Sequence, residues 1–248
     1  PAARSTALPP GMPPEFAPRP APARPAPVVR PVAEPISSAP QAPALVLPPE
    51  VVAACEKADW ATLEGLAGAC TCCSMAKSRQ HVVFAEGGPG MRIALVGEAP
   101  GSEEDLQGIP FVGKSGQLLT QMLESIGIER RRDIAIMNVL KCRPPGNRNP
   151  RPEEVLACSP FLREQIRSIW PDIIVTLGNP ATHFVLKTEI GITKLRGRFH
   201  QMGHFVVMPT FHPAAALRNP AWQELLEEDF KMLGDYLERH PAPEDASE

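Results

Sequence analysis

The sequence predicts an α/β fold: a three-layer α/β/α sandwich around a central parallel sheet of about four strands. Three observations predict it. Short unbroken apolar runs recur at Arg92–Val96, Ile134–Leu140, Asp172–Leu177 and His204–Met208. Segments with helically spaced apolar residues separate them, and three of the runs lead straight into Gly97, Gly178 or Pro209. Unbroken rather than alternating runs belong to strands buried on both faces, as parallel strands are.

In chain order, residues 1–50 hold 16 of the 31 prolines and 11 alanines, with no alternating or helically spaced apolar run. Such a stretch cannot bury enough surface to offset its ordering entropy. It reads as a disordered tail of extended polyproline character. The tail carries four arginines, but its prolines break any amphipathic helix or signal-peptide core, and no targeting segment is expected. No apolar run reaches the ~18 residues of a membrane span. The sequence opens on Pro1 rather than Met, as a fragment would. Residues 51–240 suit one domain. The stretch 51–68 predicts a helix. Ser115–Ile128 predicts another, with Leu118, Leu119, Met122, Leu123 and Ile126 on one face. Pro152 sits where first turns favour proline, with Glu153 and Glu154 at the positive end of the dipole, and that helix runs to Trp170. Asn179–Leu186 and Trp222–Leu237 complete the helices, and 241–248 forms a second short tail.

In sheets of this kind ligands bind beyond the carboxyl ends of the strands. The polar residues there are Glu98 in its glycine-rich loop, Asn138, Asn179 and His212. A net charge of −3 excludes a globally basic protein, though not a local basic face for nucleic acid. Of six cysteines, three crowd into Cys70–Cys73. In a chain this long, that points to metal or cluster ligation rather than disulfides. Gly108–Ser115, GIPFVGKS, fits the phosphate-loop pattern letter by letter. The preceding SEEDLQ, however, forms no strand and carries three carboxylates that would repel a triphosphate. Pro110 also removes an amide where a phosphate needs donors, so the nucleotide reading is rejected.

Three segments then coincide with one family. GEAPGSEEDLQGIPFVGKSG at 97–116, NVLKCRPPGNRNP at 138–150 and PTFHPAAALRNP at 209–220 resemble the family 4 uracil-DNA glycosylases. These are the iron–sulfur branch of the uracil-DNA glycosylase superfamily, and the likeness covers residues 70–239 in order. It implies a uracil-DNA glycosylase-like sandwich. It also implies a monofunctional enzyme that hydrolyses the N-glycosidic bond of uracil in DNA, leaving free uracil and an abasic site for base excision repair.

Cys70 and Cys73 form a C-x-x-C joined by Cys142 and Cys158. Four thiolates suit either a 4Fe-4S cluster or a structural zinc. The later pair is split by fifteen residues, unlike the second C-x-x-C of a zinc ribbon. The resemblance assigns all four to a 4Fe-4S cluster of structural role. Cys72 is a bystander or an alternate ligand, and Cys55 a small buried residue of its helix.

The family's uracil pocket maps onto Phe111 as stacking ring, Asn138 as reader of the base edge and His212 as donor to uracil O2. The backbone of Glu98, Ala99 and Pro100 wraps the base. A nucleotide must be rotated out of the duplex to reach such a pocket. An amide offers one donor and one acceptor, which matches uracil O4 and N3–H. The alternatives are core packing for Phe111 and a strand-end cap for Asn138. The family's best-known branch has an aspartate near Ala99, so Glu98 and Glu104 are the candidates for activating water, with Glu103 and Asp105 solvated. No lysine is placed as a Schiff-base nucleophile. Lys141, Arg143 and Arg148, then Lys194, Arg196 and Arg198, then Arg218, would track DNA phosphates, and Leu217 would fill the vacated stack. The expected partner is uracil-containing DNA, met by a monomer in the cytoplasm at the nucleoid. The proline-rich tail is either a plain linker or a tether to a protein partner. The competing function is a damage-binding module that releases no base.

Overall fold

The computed structural model describes residues 48–241. Of the tails expected at either end only Pro48, Pro49, Glu50 and Pro241 fall within that range, and Pro49 and Glu50 belong to the first helix. The elements are α1 (Pro49–Lys57), α2 (Trp60–Ala69), β1 (Ile93–Gly97), α3 (Ser102–Gln107), α4 (Lys114–Glu124), α5 (Arg130–Asp133) and β2 (Ile134–Asn138). They continue with α6 (Pro152–Ile169), β3 (Ile173–Leu177), α7 (Asn179–Leu186), α8 (Ile192–Leu195), β4 (His200–Met202), β5 (Phe205–Thr210), α9 (Pro213–Ala216) and α10 (Pro220–Arg239). Among the described residues no helix is long and apolar enough to cross a membrane.

The sheet has five strands rather than four, in the order β2-β1-β3-β5-β4. Strands β2, β1, β3 and β5 run parallel, while β4 is antiparallel to β5. Every position of β1, β2 and β3 is buried, which is why they read as unbroken apolar runs. Strand β4 escapes sequence reading because it is three residues long and none of them is buried. Gly203, at φ 59°, turns the chain back from β4 into β5. The outer edge of β2 meets the backbone of Glu86, which exchanges two hydrogen bonds with Ile136 at 2.8 and 2.9 Å.

Three layers follow from strand alternation. Leu95, Ile134, Ile136 and Val175 face α4 and α10 through Leu119, Leu123, Phe230 and Leu233. Their neighbours Ala94, Val96, Ala135, Met137 and Ile174 face the opposite way, onto Leu162 of α6 and Ala181 of α7. Helices α1 and α2 form a smaller cluster with Phe84 and with Phe161 of α6.

Local chemistry corrects several boundaries. The helix expected over 51–68 is two helices, because Asp59 starts the second: its carboxylate accepts the Thr62 N–H at 2.8 Å. Helix α4 stops at Glu124, four residues short of expectation, and Gly127 then takes a left-handed φ of 75°. SEEDLQ is helix α3, closed by Gly108 at φ 74°.

Helix α4 passes directly beneath the loop that precedes it. A Cβ on Gly116 would lie 1.7 Å from the Phe111 carbonyl oxygen. Gly116→Ala must therefore displace one of the two. Urea unfolding should show a loss of about 1–3 kcal/mol, with the slope against denaturant unchanged.

Candidate functional site

The β1–β2 register sets Gly97 opposite Asn138 at the carboxyl end of the sheet. A Cβ on Gly97 would stand 2.3 Å from Asn138 Oδ1 and 2.6 Å from Phe111 Cζ, so the amide and the ring both crowd this strand end. The Phe111 ring stacks on His212, with centroids 5.5 Å apart and planes at 27°. Gly178, after β3, lies 3.1 Å from His212 Cβ by the same measure. Phe111, Asn138 and His212 thus meet at one place, from three separate segments. Asn138 is 1% exposed, and its Oδ1 has no hydrogen-bond partner. Unpaired buried acceptors are rare because each costs the desolvation of its lone pairs.

The loop after β1 separates the two glutamates. Glu104 accepts the Gly101 N–H on Oε2 at 3.0 Å and, on Oε1, the N–H groups of Val112 at 3.0 Å and Gly113 at 2.9 Å. Both carboxylate oxygens hold backbone, which corrects the expectation that Glu104 activates water. The same contacts close the phosphate-loop question, since a carboxylate already sits on amides a phosphate would need. Glu98 is half-buried, and burial alone pushes its carboxyl above the usual range. Ala99 is half-buried and Pro100 buried beside it. Asp105 is not solvated as expected: it is buried, and its Oδ1 accepts the Gln80 N–H at 3.0 Å.

His212 caps helix α9, its Nδ1 accepting the Ala214 N–H at 3.1 Å. An amide can only donate, so the ring proton must sit on Nε2. Burial, then the nearby Arg218 charge, push the imidazole pKa down to about 4, with Glu104 opposing them.

Most of the expected DNA cations have other work. Lys141 is 2% exposed and its ammonium donates to the Asn138 carbonyl at 2.6 Å, so it does not reach a phosphate. Burial pushes its pKa down to about 8, against the pull of Cys158 and Cys142. Arg148 pairs through two nitrogens with Glu154 at 2.8 and 2.5 Å. Arg196 pairs likewise with Asp229 at 2.9 and 2.8 Å, in a site where Asp229 also accepts the Thr210 hydroxyl at 2.6 Å. Lys194, Arg196 and Arg198 do not share an extended segment, because Leu195 ends a helix and Gly197 turns at φ 71°. Arg143 donates to Asn147 Oδ1 at 2.7 Å. Arg198 and Arg218 are exposed, as is Leu217 at 48%. Asn179 accepts the Ile192 N–H at 2.7 Å and so braces the chain after α7.

Cys70, Cys73, Cys142 and Cys158, with Cys72, line one small pocket between α2, the loop after β2 and α6, partly open to solvent. Sequence reading missed Arg79, which donates to the Cys70 carbonyl at 2.7 Å and to Cys142 Sγ at 3.4 Å. The Lys141 N–H donates to Cys158 Sγ at 3.3 Å. Burial pushes the Cys158 thiol up to about 12 and raises Cys142 as well. Among the described residues no group of three His, Cys, Asp or Glu side chains converges as a single ion requires.

Two measurements check this site. Ring NMR should find His212 neutral, as the Nε2–H tautomer, from pH 8 down to about pH 4. Its folded pKa lies below the unfolded value of about 6.5, so the stability it contributes is full above that pH and lost as the pH falls toward 4. A ring titrating near 6.5 would contradict this placement of His212. Arg196→Met should cost about 3–5 kcal/mol by leaving Asp229 buried and unpaired, and should leave the salt dependence of DNA binding unchanged.

Comparison with known proteins points the same way. Residues 84–234 match the model of the Uracil DNA glycosylase superfamily. The chain is 44% identical over 180 residues to the type-4 uracil-DNA glycosylase of Saccharolobus solfataricus, covering 69% of this chain and 83% of that protein. It is 47% identical over 174 residues to the type-4 uracil-DNA glycosylase of Sulfurisphaera tokodaii, covering 66% and 78%. It is 46% identical over 174 residues to that of Thermotoga maritima, covering 68% and 90%. The breadth of these matches places the chain within the uracil-DNA glycosylase superfamily, in its type-4 branch.

Proposed function

We infer that this protein is a monofunctional DNA glycosylase that hydrolyses the N-glycosidic bond of uracil in DNA, releasing uracil and leaving an abasic site. The observation that carries the reading is the unpartnered Oδ1 of Asn138, buried beside the Phe111 ring. It is an acceptor awaiting a donor, and uracil N3–H is one. The Asn138 amide N–H would then donate to O4. Cytosine presents the reverse pattern there and would leave two buried groups unpaired, at about 1–3 kcal/mol each. Phe111 supplies the flat face against which an extruded base stacks.

His212 supports the bond-breaking step. Negative charge collects on uracil O2 as the bond to the sugar lengthens. A neutral ring with its proton fixed on Nε2 donates to that oxygen without first gaining a proton. Such a donor, oriented before the charge appears, is worth several kcal/mol, about 3 by analogy with other oxyanion sites. Water attacks the sugar, and Glu98 is the carboxylate left to orient it, since Glu104 is engaged with backbone. Lys141 lies buried against the Asn138 carbonyl and does not serve as an amine nucleophile. Arg143, Arg198, Arg218 and Leu217 remain for the DNA: three guanidinium groups for phosphates and one apolar wedge.

The four cysteines fit a 4Fe-4S cluster better than zinc. Cys142 and Cys158 are split by fifteen residues, unlike the second C-x-x-C of a zinc ribbon. Arg79 and the Lys141 amide aim donors at the sulfurs, as a charged cluster requires. Bound there, a cluster would tie α2 and α6 to the loop that follows Asn138, a structural role, since hydrolysis needs no electron.

An oligonucleotide bearing one uracil, incubated with the protein and treated with alkali, should break at that position. An intact strand would defeat the reading, and binding without base release would support the damage-sensor alternative. Asn138→Leu should slow single-turnover base release about 10- to 1000-fold, the worth of one to two buried hydrogen bonds. The purified protein should be brown and contain iron and acid-labile sulfide in equal amounts. Cys158→Ser should lower both, while a protein holding only zinc would refute the cluster.

A further inference from the structure

Phe111 is held in a conformation its own chemistry disfavours. Its φ is 53°, in the left-handed region that bulky side chains avoid. Something outside the turn must impose that shape. Two charged side chains do so, one holding carbonyls and the other amides. Arg130, at the start of α5, donates Nη2 to the Pro110 carbonyl at 2.6 Å and Nη1 to the Phe111 carbonyl at 2.7 Å. Its Nη1 also meets the Thr120 hydroxyl at 3.1 Å. Its charge is balanced by Glu86, whose Oε2 accepts Nε at 2.8 Å and Nη2 at 2.6 Å. The two side chains are only 13% and 16% exposed. Glu104 takes the next two amides, those of Val112 and Gly113. The carbonyls of 110–111 thus face a cation and the amides of 112–113 face an anion.

We propose that Arg130 and Glu104 are positioning residues that clamp the 110–113 turn and thereby aim the Phe111 ring at the extruded base. The proposal rests on Phe111 being the stacking ring. Neither clamp touches the base; both act through the backbone of the ring they aim. A guanidinium is needed because one side chain must reach two carbonyls and a carboxylate in fixed directions. A lysine ammonium, a point charge on a flexible stem, cannot span them in that way.

A double-mutant cycle on the full chain separates positioning from general support. Single-turnover base release is measured for Arg130→Lys, Arg130→Met and Glu104→Gln, each in the wild-type and the Phe111→Ala background. In the wild-type background we expect losses of about tenfold for Arg130→Lys and about a hundredfold for Arg130→Met, the scale of a small misplacement at a reacting centre. KM for uracil-containing duplex should stay within about twofold, because the phosphate contacts are untouched. In the Phe111→Ala background each added substitution should cost no more than about twofold, there being no ring left to aim. Losses that multiply undiminished in that background would overturn the proposal while leaving the uracil reading intact. A Phe111→Ala protein that releases uracil at the wild-type rate would overturn the proposal and the stacking role of Phe111, whereas a wild-type protein that releases no uracil would overturn the uracil reading. If Arg130→Met shows no cooperative melt, Arg130→Lys and Glu104→Gln carry the same cycle.

Discussion

A missing Cβ governs the carboxyl end of this sheet. Gly97 leaves its space to the Asn138 amide and the Phe111 ring, and any larger residue would meet both. The parallel register of β1 and β2 fixes where the amide stands, because hydrogen bonding along five residue pairs cannot slip without turning every side chain over. The ring must then come in from a loop, and that loop must bend against its own preference. The position of His212, stacked on the ring from the other side, closes the arrangement. A strand ending in glycine is therefore a requirement of crowding here, and the motif's other parts follow from it.

Charge inside the protein is spent on backbone rather than on the ligand. Glu104 holds amides, Arg130 holds carbonyls, Lys141 holds the Asn138 carbonyl, and Arg79 holds a carbonyl and a sulfur. Each is a charge-assisted bond in a poorly solvated place, where such bonds are strong and their absence is costly. Burial lowers the Lys141 pKa to about 8, and Cys158 and Cys142 oppose that fall. Through Lys141 the cysteine pocket and the strand end at Asn138 are joined by adjacent residues of one short loop.

The sheet and the trio at its end were legible in the sequence because each left a strong local mark. Buried parallel strands are runs of Ile and Val, and the three motifs are long. The charged residues were not legible in the same way. Whether Arg148 or Arg196 meets DNA or a carboxylate depends on Glu154 and Asp229, which lie on helices whose packing the sequence does not state. Glu104 and Asp105 look alike in the sequence as members of an acidic run, yet both turn inward to cap amides of other segments. Arg130 is the first of three adjacent arginines in the sequence. Only tertiary contact distinguishes it from Arg131, which is 85% exposed. Strand β4 left no mark because three partly exposed residues make no apolar run.

The bridge between Glu86 and Ile136 bears on how such a molecule survives in a crowded solution. A parallel sheet has two borders of unpaired backbone, each able to recruit a strand from a neighbouring chain. On one side the short antiparallel β4 occupies the border of β5 and offers only three residues in turn. On the other, the Glu86 backbone takes both groups of Ile136 at the middle of β2, so that border offers no uninterrupted ladder. The residue that balances Arg130 through its side chain thus blocks intermolecular strand addition through its main chain, and self-association by that route is interrupted at the sheet's most apolar margin.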